Sequence, residues 1–187
     1  MEIDFTELSP DKIYRTVIQS LVPRPIAWVL TENNNQSFNL APFSYFNAVS
    51  SDPPVLMFSV GKKPDGSFKD TRVNIEARPR FVIHIPTVDQ IDAVNASSAT
   101  LDNEASEVNE IGLTTVPFEG FTLPRIQGCP IAYACELFEI KAIGNTPMTM
   151  ILGEIKSVYI DDDIIASAPD QKLLIDANKM NPLGRLG

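Results

Sequence analysis

The chain has 187 residues, enough for one domain at about 150 residues per domain, and its 44% hydrophobic and 21% charged shares exclude disorder and fibrous repeats. No apolar run approaches the roughly 18 residues of a membrane-crossing helix, and the acidic start Met1-Glu2-Ile3-Asp4 lacks the basic-then-apolar pattern of an export signal, so a cytoplasmic protein without membrane contact is expected. Fifteen Lys and Arg against 24 Asp and Glu give a net charge of -9, a poor match for a phosphate backbone, so no nucleic-acid partner is expected.

Short apolar runs rich in Val, Ile, Phe and Tyr, punctuated by 15 prolines, predict strands at 26–31, 43–49, 55–60, 81–85, 131–143 and 148–160. Residues 33–37 supply a surface hairpin turn, and Gly144-Asn145-Thr146-Pro147 joins the last two strands into a long hairpin. Helical spacing is confined to 71–77, about 88–98 and 107–111, with Asp70, Asp89 and Ser106 as caps. Many strands with few helices favour a closed barrel, because an open sheet of this size leaves long edges exposed. Neither repeats nor a linker interrupt the chain, so residues 1–187 form one domain.

Side chains that commonly carry catalysis are scarce. The single histidine, His84, sits in an apolar strand and reads as a core or interface residue; Cys129 and Cys135 read as reduced, buried thiols, too few with one histidine for a zinc framework. Trp28 lies in an alternating strand and reads as core, and Asp161-Asp162-Asp163 reads as a solvated acidic corner. The segment 181–187 reads as a tail lying on the rest of the molecule. Catalytic power, if present, therefore comes from something bound.

Two segments are unusual. In the first, Pro23 and Pro25 stiffen the backbone around Arg24, which suits either an anionic partner or an ion pair with one of the many acidic residues. Further along it, residues 46–52 place small and polar groups where an apolar strand should continue. Main-chain hydrogen bonding to a planar ligand and a bulged edge strand both fit that pattern. The second segment runs from Phe68 to Ile75. With Asp70 as cap, the free amides of a helix starting at Thr71, beside Lys69 and the Thr71 hydroxyl, form a phosphate cradle; an ordinary surface helix start looks the same. The cradle requires Asp70 to turn onto the helix amides or onto Arg72.

The run Pro-Arg-Pro-Ile-Ala-Trp-Val at 23–29, Asn-Leu-Ala-Pro-Phe-Ser-Tyr-Phe-Asn-Ala-Val-Ser-Ser-Asp-Pro-Pro at 39–54 and Lys-Asp-Thr-Arg-Val-Asn-Ile at 69–75 resemble the flavin reductase-like FMN-binding split-barrel family, of flavoredoxin and ferric reductase type. The similarity continues through Asn109–Leu113, Pro124-Arg125-Ile126, Gly153-Glu154 and residues 182–187. It implies a mainly β, six-stranded Greek-key split barrel with a few short helices, and a homodimer with FMN near its interface. It further implies that Asn47, Ala48, Val49 and Ser50 hold the isoalloxazine and ribityl, chiefly through main chain. Lys69, Asp70 and Thr71 would surround the phosphate, with Arg24 and Thr31 as further candidates. The activity implied is transfer of hydride from NAD(P)H to flavin, then of electrons to free flavin, iron, oxygen or a protein; an electron carrier without its own NAD(P)H oxidation, or a non-catalytic flavin-binding protein, is the alternative. Where relatives carry a histidine after the Gly-Glu pair, this chain has Lys156-Ser157-Val158-Tyr159, so no histidine role is carried over.

Overall fold

The computed structural model describes residues 1–102, 104–145, 148–166 and 173–187. Its centre is one antiparallel sheet of seven strands: β1 Ala27–Glu32, β2 Phe38–Phe43, β3 Phe46–Ser51, β4 Pro54–Val60, β5 Arg80–Ile85, β6 Ile131–Ala142 and β7 Thr149–Ile160. They are hydrogen-bonded in the order β2-β1-β5-β6-β7-β4-β3. The outermost strands, β2 and β3, are consecutive in the chain and separated only by Ser44 and Tyr45, so the sheet curls until its edges meet at this corner. Ser59 N donates to Tyr45 O at 2.9 Å and ties the corner to β4.

Six of the seven strands match the sequence reading. The seventh, Phe38–Phe43, contains Pro42 and Asn39, and it tolerates proline because only one of its sides is paired. The turn at 33–37 closes this hairpin, with Asn33 N donating to Ser37 O at 2.9 Å. The long pair β6 and β7 extends from Ala142 opposite Thr149 to Ile131 opposite Ile160, with register shifts between Leu152 and Gly153 and between Ile155 and Ser157. Thr146 and Pro147 of their turn lie outside the described residues.

Alternation along the strands fills two cores. Ala27, Val29, Phe58, Phe81 and Ile83 face the curled interior, whereas Trp28, Leu30, Val82, Ala132 and Ala134 pack outward beneath the helices. Strand β1 is consequently buried on both faces, so it reads as a continuous apolar run. Trp28 is fully buried and donates from Nε1 to Ser97 Oγ at 2.8 Å, a core residue as expected. His84 is also fully buried: Ile126 N donates to Nε2 at 2.9 Å, so the ring proton sits on Nδ1 and is given to Trp28 O at 3.0 Å. Both cysteines are free and buried.

Among the described residues, five α-helices decorate the sheet. The first, α1 Pro10–Ser20, was not apparent in the sequence reading; Pro10 occupies its first turn, where the missing N–H is no loss. Helices α2 Asp70–Ala77 and α4 Glu107–Ile111 match the expected positions. Ser106 caps α4 as expected, accepting from Asn109 N. The expected helix at 88–98 is a 3₁₀ turn, Val88–Gln90, followed by α3 Ile91–Ala96, and its cap is Thr87, which forms a capping box with Gln90, instead of Asp89. The last helix is α5 Ala177–Met180. Residues 182–187 lie on the body as expected: Leu183 is buried, its N–H donates to Pro86 O, and Gly184 and Arg185 pair with Pro25 and Arg24. Asp161 accepts from Asp163 N and opens a 3₁₀ turn, Asp162–Ile164, at the acidic corner. No helix among the described residues is long and apolar enough to cross a membrane.

Candidate functional site

The start of α2 forms one wall of a cleft. The turn before it is fixed by Lys63 N donating to Ser67 O, Gly66 N donating to Lys63 O, and a positive φ of 85° at Gly66, which delivers Lys69 to the helix start. Lys69, in place of the expected Asp70, is the N-cap residue, and no side chain caps the helix. Arg72 N and Val73 N both reach Lys69 O, whereas the amides of Asp70 and Thr71 have no acceptor among the described residues. Asn39, Ala41 and Pro42 of β2, residues 97–101, and Glu107 of α4 complete a cleft of about 60 Å³ with Lys63, Lys69, Asp70 and Thr71.

Charge in the cleft is arranged unevenly. Lys63 Nζ lies 2.8 Å from Asp70 Oδ1, so Asp70 is held by a neighbouring lysine, not by the helix amides or Arg72. Arg72 is turned away: its guanidinium stacks 3.4 Å from the centroid of Phe68, and Nη1 donates to Thr149 Oγ1. Lys69 has no hydrogen bond or ion pair among the described residues; its Nζ stands 5.8 Å from the Phe43 ring. Glu107 accepts from Leu40 N at 2.9 Å, and burial pushes its carboxyl above the usual carboxylate range, against the opposing effect of that hydrogen bond.

Pro42 and Ser98 connect this cleft to a larger hollow of about 200 Å³, lined also by Ile26, Phe43, Ser44, Ile91, Val94, Asn95, Leu183, Gly184 and Arg185. Together they present a cation and free amides at one end and an apolar floor with a few polar groups at the other. That arrangement suits a flat ligand carrying an anionic tail.

The remaining expected site residues fall elsewhere in the subunit. Arg24 and Asn47 line a further, mostly apolar hollow of about 310 Å³ with Val17, Leu21, Tyr45, Phe46 and Met57, which shares Ser44 with the hollow of about 200 Å³ and no residue with the α2 cleft. Arg24 is buried and pairs with no carboxylate among the described residues: Nη1 donates to Ile18 O and Leu21 O at the end of α1, where helix carbonyls attract a cation. Its Nε is buried without a partner among the described residues. Ala48, Val49 and Ser50 lie exposed on the outer strand β3, and the register shift between Ala48 and Ser50 makes this a bulged edge. Thr31 is fully buried behind Thr71, accepting from Asn39 Nδ2 at 3.2 Å and Asn74 Nδ2 at 3.1 Å. Asn39, Lys63 and Glu107 were missed as cleft residues. Asn39 and Glu107 belonged to segments singled out from the sequence, but their partners are remote in the chain.

A curled antiparallel sheet with an anion-receptive helix start beside an apolar hollow defines a split-barrel protein of flavin reductase type. The chain belongs to the flavin reductase like domain family, whose model matches residues 19–183. It is 34% identical over 190 residues to the uncharacterized protein BH2278 of Halalkalibacterium halodurans, covering 100% of this chain and 88% of that one. Among solved structures, nitrilotriacetate monooxygenase component B from Bacillus cereus superposes with a TM-score of 0.90 at 28% identity, covering 100% of this chain and 91% of the other. The 2-nitrobenzoate 2-nitroreductase NbaA of Pseudomonas fluorescens gives 0.87 at 29%, covering 100% and 88%.

Proposed function

We propose that the protein binds FMN and acts as an NAD(P)H-dependent flavin reductase. The observation that carries this is the unpaired ammonium of Lys69 beside the open amides of Asp70 and Thr71, a cation and two donors converging where a phosphate monoester fits. Lys63 supports the fit, because its ion pair with Asp70 offsets the carboxylate charge that would otherwise repel phosphate. The isoalloxazine is assigned to the adjoining hollow at Pro42, Phe43 and Ser44.

FMN, when bound, supplies the acceptance of hydride from nicotinamide and the onward transfer of electrons. The chain's part is to bind and orient. His84 is locked by two hydrogen bonds, and burial drives both thiols up, Cys129 to about 12, so none of the three is available as a proton carrier. Chemistry carried by a bound group suits such a chain. Asn47, Ala48, Val49 and Ser50 lie on an outer strand away from the α2 cleft. We assign them to the flavin of a second subunit in a homodimer.

Titration of the apo-protein with FMN and with riboflavin tests the site. A charge-assisted hydrogen bond is worth about 1.5–3 kcal/mol, so Lys69→Met should weaken FMN roughly 10- to 150-fold while leaving riboflavin, which lacks the phosphate, nearly unchanged. Absence of FMN binding, or equal losses for both ligands, contradicts the proposal.

A further inference from the structure

Behind the cleft wall lies a buried polar ladder, of which the FMN assignment above uses only the Thr71 amide. Thr71 is 1% exposed and Asn39 4%, yet both line the cleft. Asn39 Nδ2 donates to Thr71 Oγ1 at 3.0 Å and to Thr31 Oγ1 at 3.2 Å. Asn74 Nδ2 donates to Thr31 Oγ1 at 3.1 Å and to Asn33 Oδ1 at 2.8 Å. Every link is an amide giving a proton to an oxygen, so the direction of the ladder is fixed by the chemistry of its donors. A carboxamide nitrogen can only donate, and Thr71 Oγ1 is therefore an acceptor on its inner side.

The consequence falls on the hydroxyl proton of Thr71. With its oxygen occupied by Asn39, that proton is left over, and it is donated to no described residue. Thr71 is among the residues that line the cleft holding Lys69 and the free amides. We propose that Asn39 is a positioning residue for the anion site: its amide holds the Thr71 hydroxyl as a donor facing the cleft, ready for a phosphate oxygen. Thr31 anchors Asn39 from behind and does not touch the ligand. This rests on the FMN proposal and adds the device by which the site selects a phosphate-bearing flavin over one without phosphate.

The test is the ratio of FMN to riboflavin affinity, measured by fluorescence titration in wild type, Asn39→Leu, Thr71→Val and the double variant, with thermal melting of each. One hydrogen bond to a charged group corresponds to about a tenfold preference at its lower end. The FMN preference should fall by about that factor in Asn39→Leu and in Thr71→Val, with no further fall in the double variant, while riboflavin affinity stays within about twofold. Should Asn39→Leu fail to fold, Asn39→Ser, too short to reach Thr71, is read in the same way. Losses that are equal for FMN and riboflavin, or a double variant showing the product of the two single losses, would overturn the positioning role while leaving the FMN proposal standing. A wild type that binds riboflavin as well as FMN removes both.

Discussion

At the scale of single residues, His84 shows how burial converts a titratable group into a structural one. Burial, outweighing the hydrogen bond to Trp28 O, pushes its pKa down to about 4 from 6.5. The unfolded chain takes up a proton as pH falls through 6.5 while the folded chain does not until about 4, so this histidine contributes stability above pH 6.5 that is lost across that window. The loss amounts to roughly 3 kcal/mol, at about 1.4 kcal/mol per pKa unit. Urea unfolding at a series of pH values should follow this decline, and the C2 proton of the sole histidine should show no titration above about pH 5; a midpoint near 6.5 contradicts the buried neutral ring. His84 could be placed in the core from sequence because its neighbours in the strand are apolar. Arg24 could not be assigned, because its partners are main-chain carbonyls of a helix whose docking no local pattern encodes. Asp70 was misread as a cap for a related reason: Lys63, which holds it, arrives through a hairpin turn seven residues upstream.

At the scale of elements, the hairpins were legible wherever turn residues separate β-branched runs, and the edge strand β2 was not, since Pro42 and Asn39 break its pattern. Asn39 is tolerated there because Thr31 and Thr71 accept its protons. Gly153 in β7 illustrates a constraint that only packing reveals. An added Cβ would overlap the Phe81 ring and stand 3.3 Å from Cys135 Cβ, at a point where the β6–β7 register shifts. Overpacking of a core typically costs about 1–3 kcal/mol, and the contact here is with a fully buried ring, so Gly153→Ala should lose stability at the upper end of that range. An unchanged denaturation midpoint would show that Phe81 has room to move.

For the whole molecule, the family and the mainly β fold were accessible from three N-terminal motifs, whereas the distribution of those motifs was not, because residues remote in the chain meet in each hollow: Arg24 with Asn47, and Asn39 with Lys69. The amphipathic helix α1 has no buried residue, and Tyr14 and Leu21 remain 54% and 61% exposed next to the apolar hollow holding Arg24 and Asn47. Burial of that face against a second copy fits the proposed homodimer, so light scattering at micromolar concentration should return about twice the chain mass. A monomer that binds FMN with undiminished affinity contradicts the assignment of Asn47, Ala48, Val49 and Ser50 to a shared site.

Whether the proposed flavin is reduced by a nicotinamide nucleotide bound to this chain is decided by anaerobic stopped-flow mixing of the FMN-loaded protein with NADH or NADPH. Orientation of bound reactants can supply about 7–11 kcal/mol of a barrier without a proton-carrying side chain, which is what a cleft of this composition has to offer. One of the two nucleotides should bleach the visible absorbance of the flavin. If neither does so while a reduced partner protein does, the protein is an electron carrier and the reductase assignment is wrong.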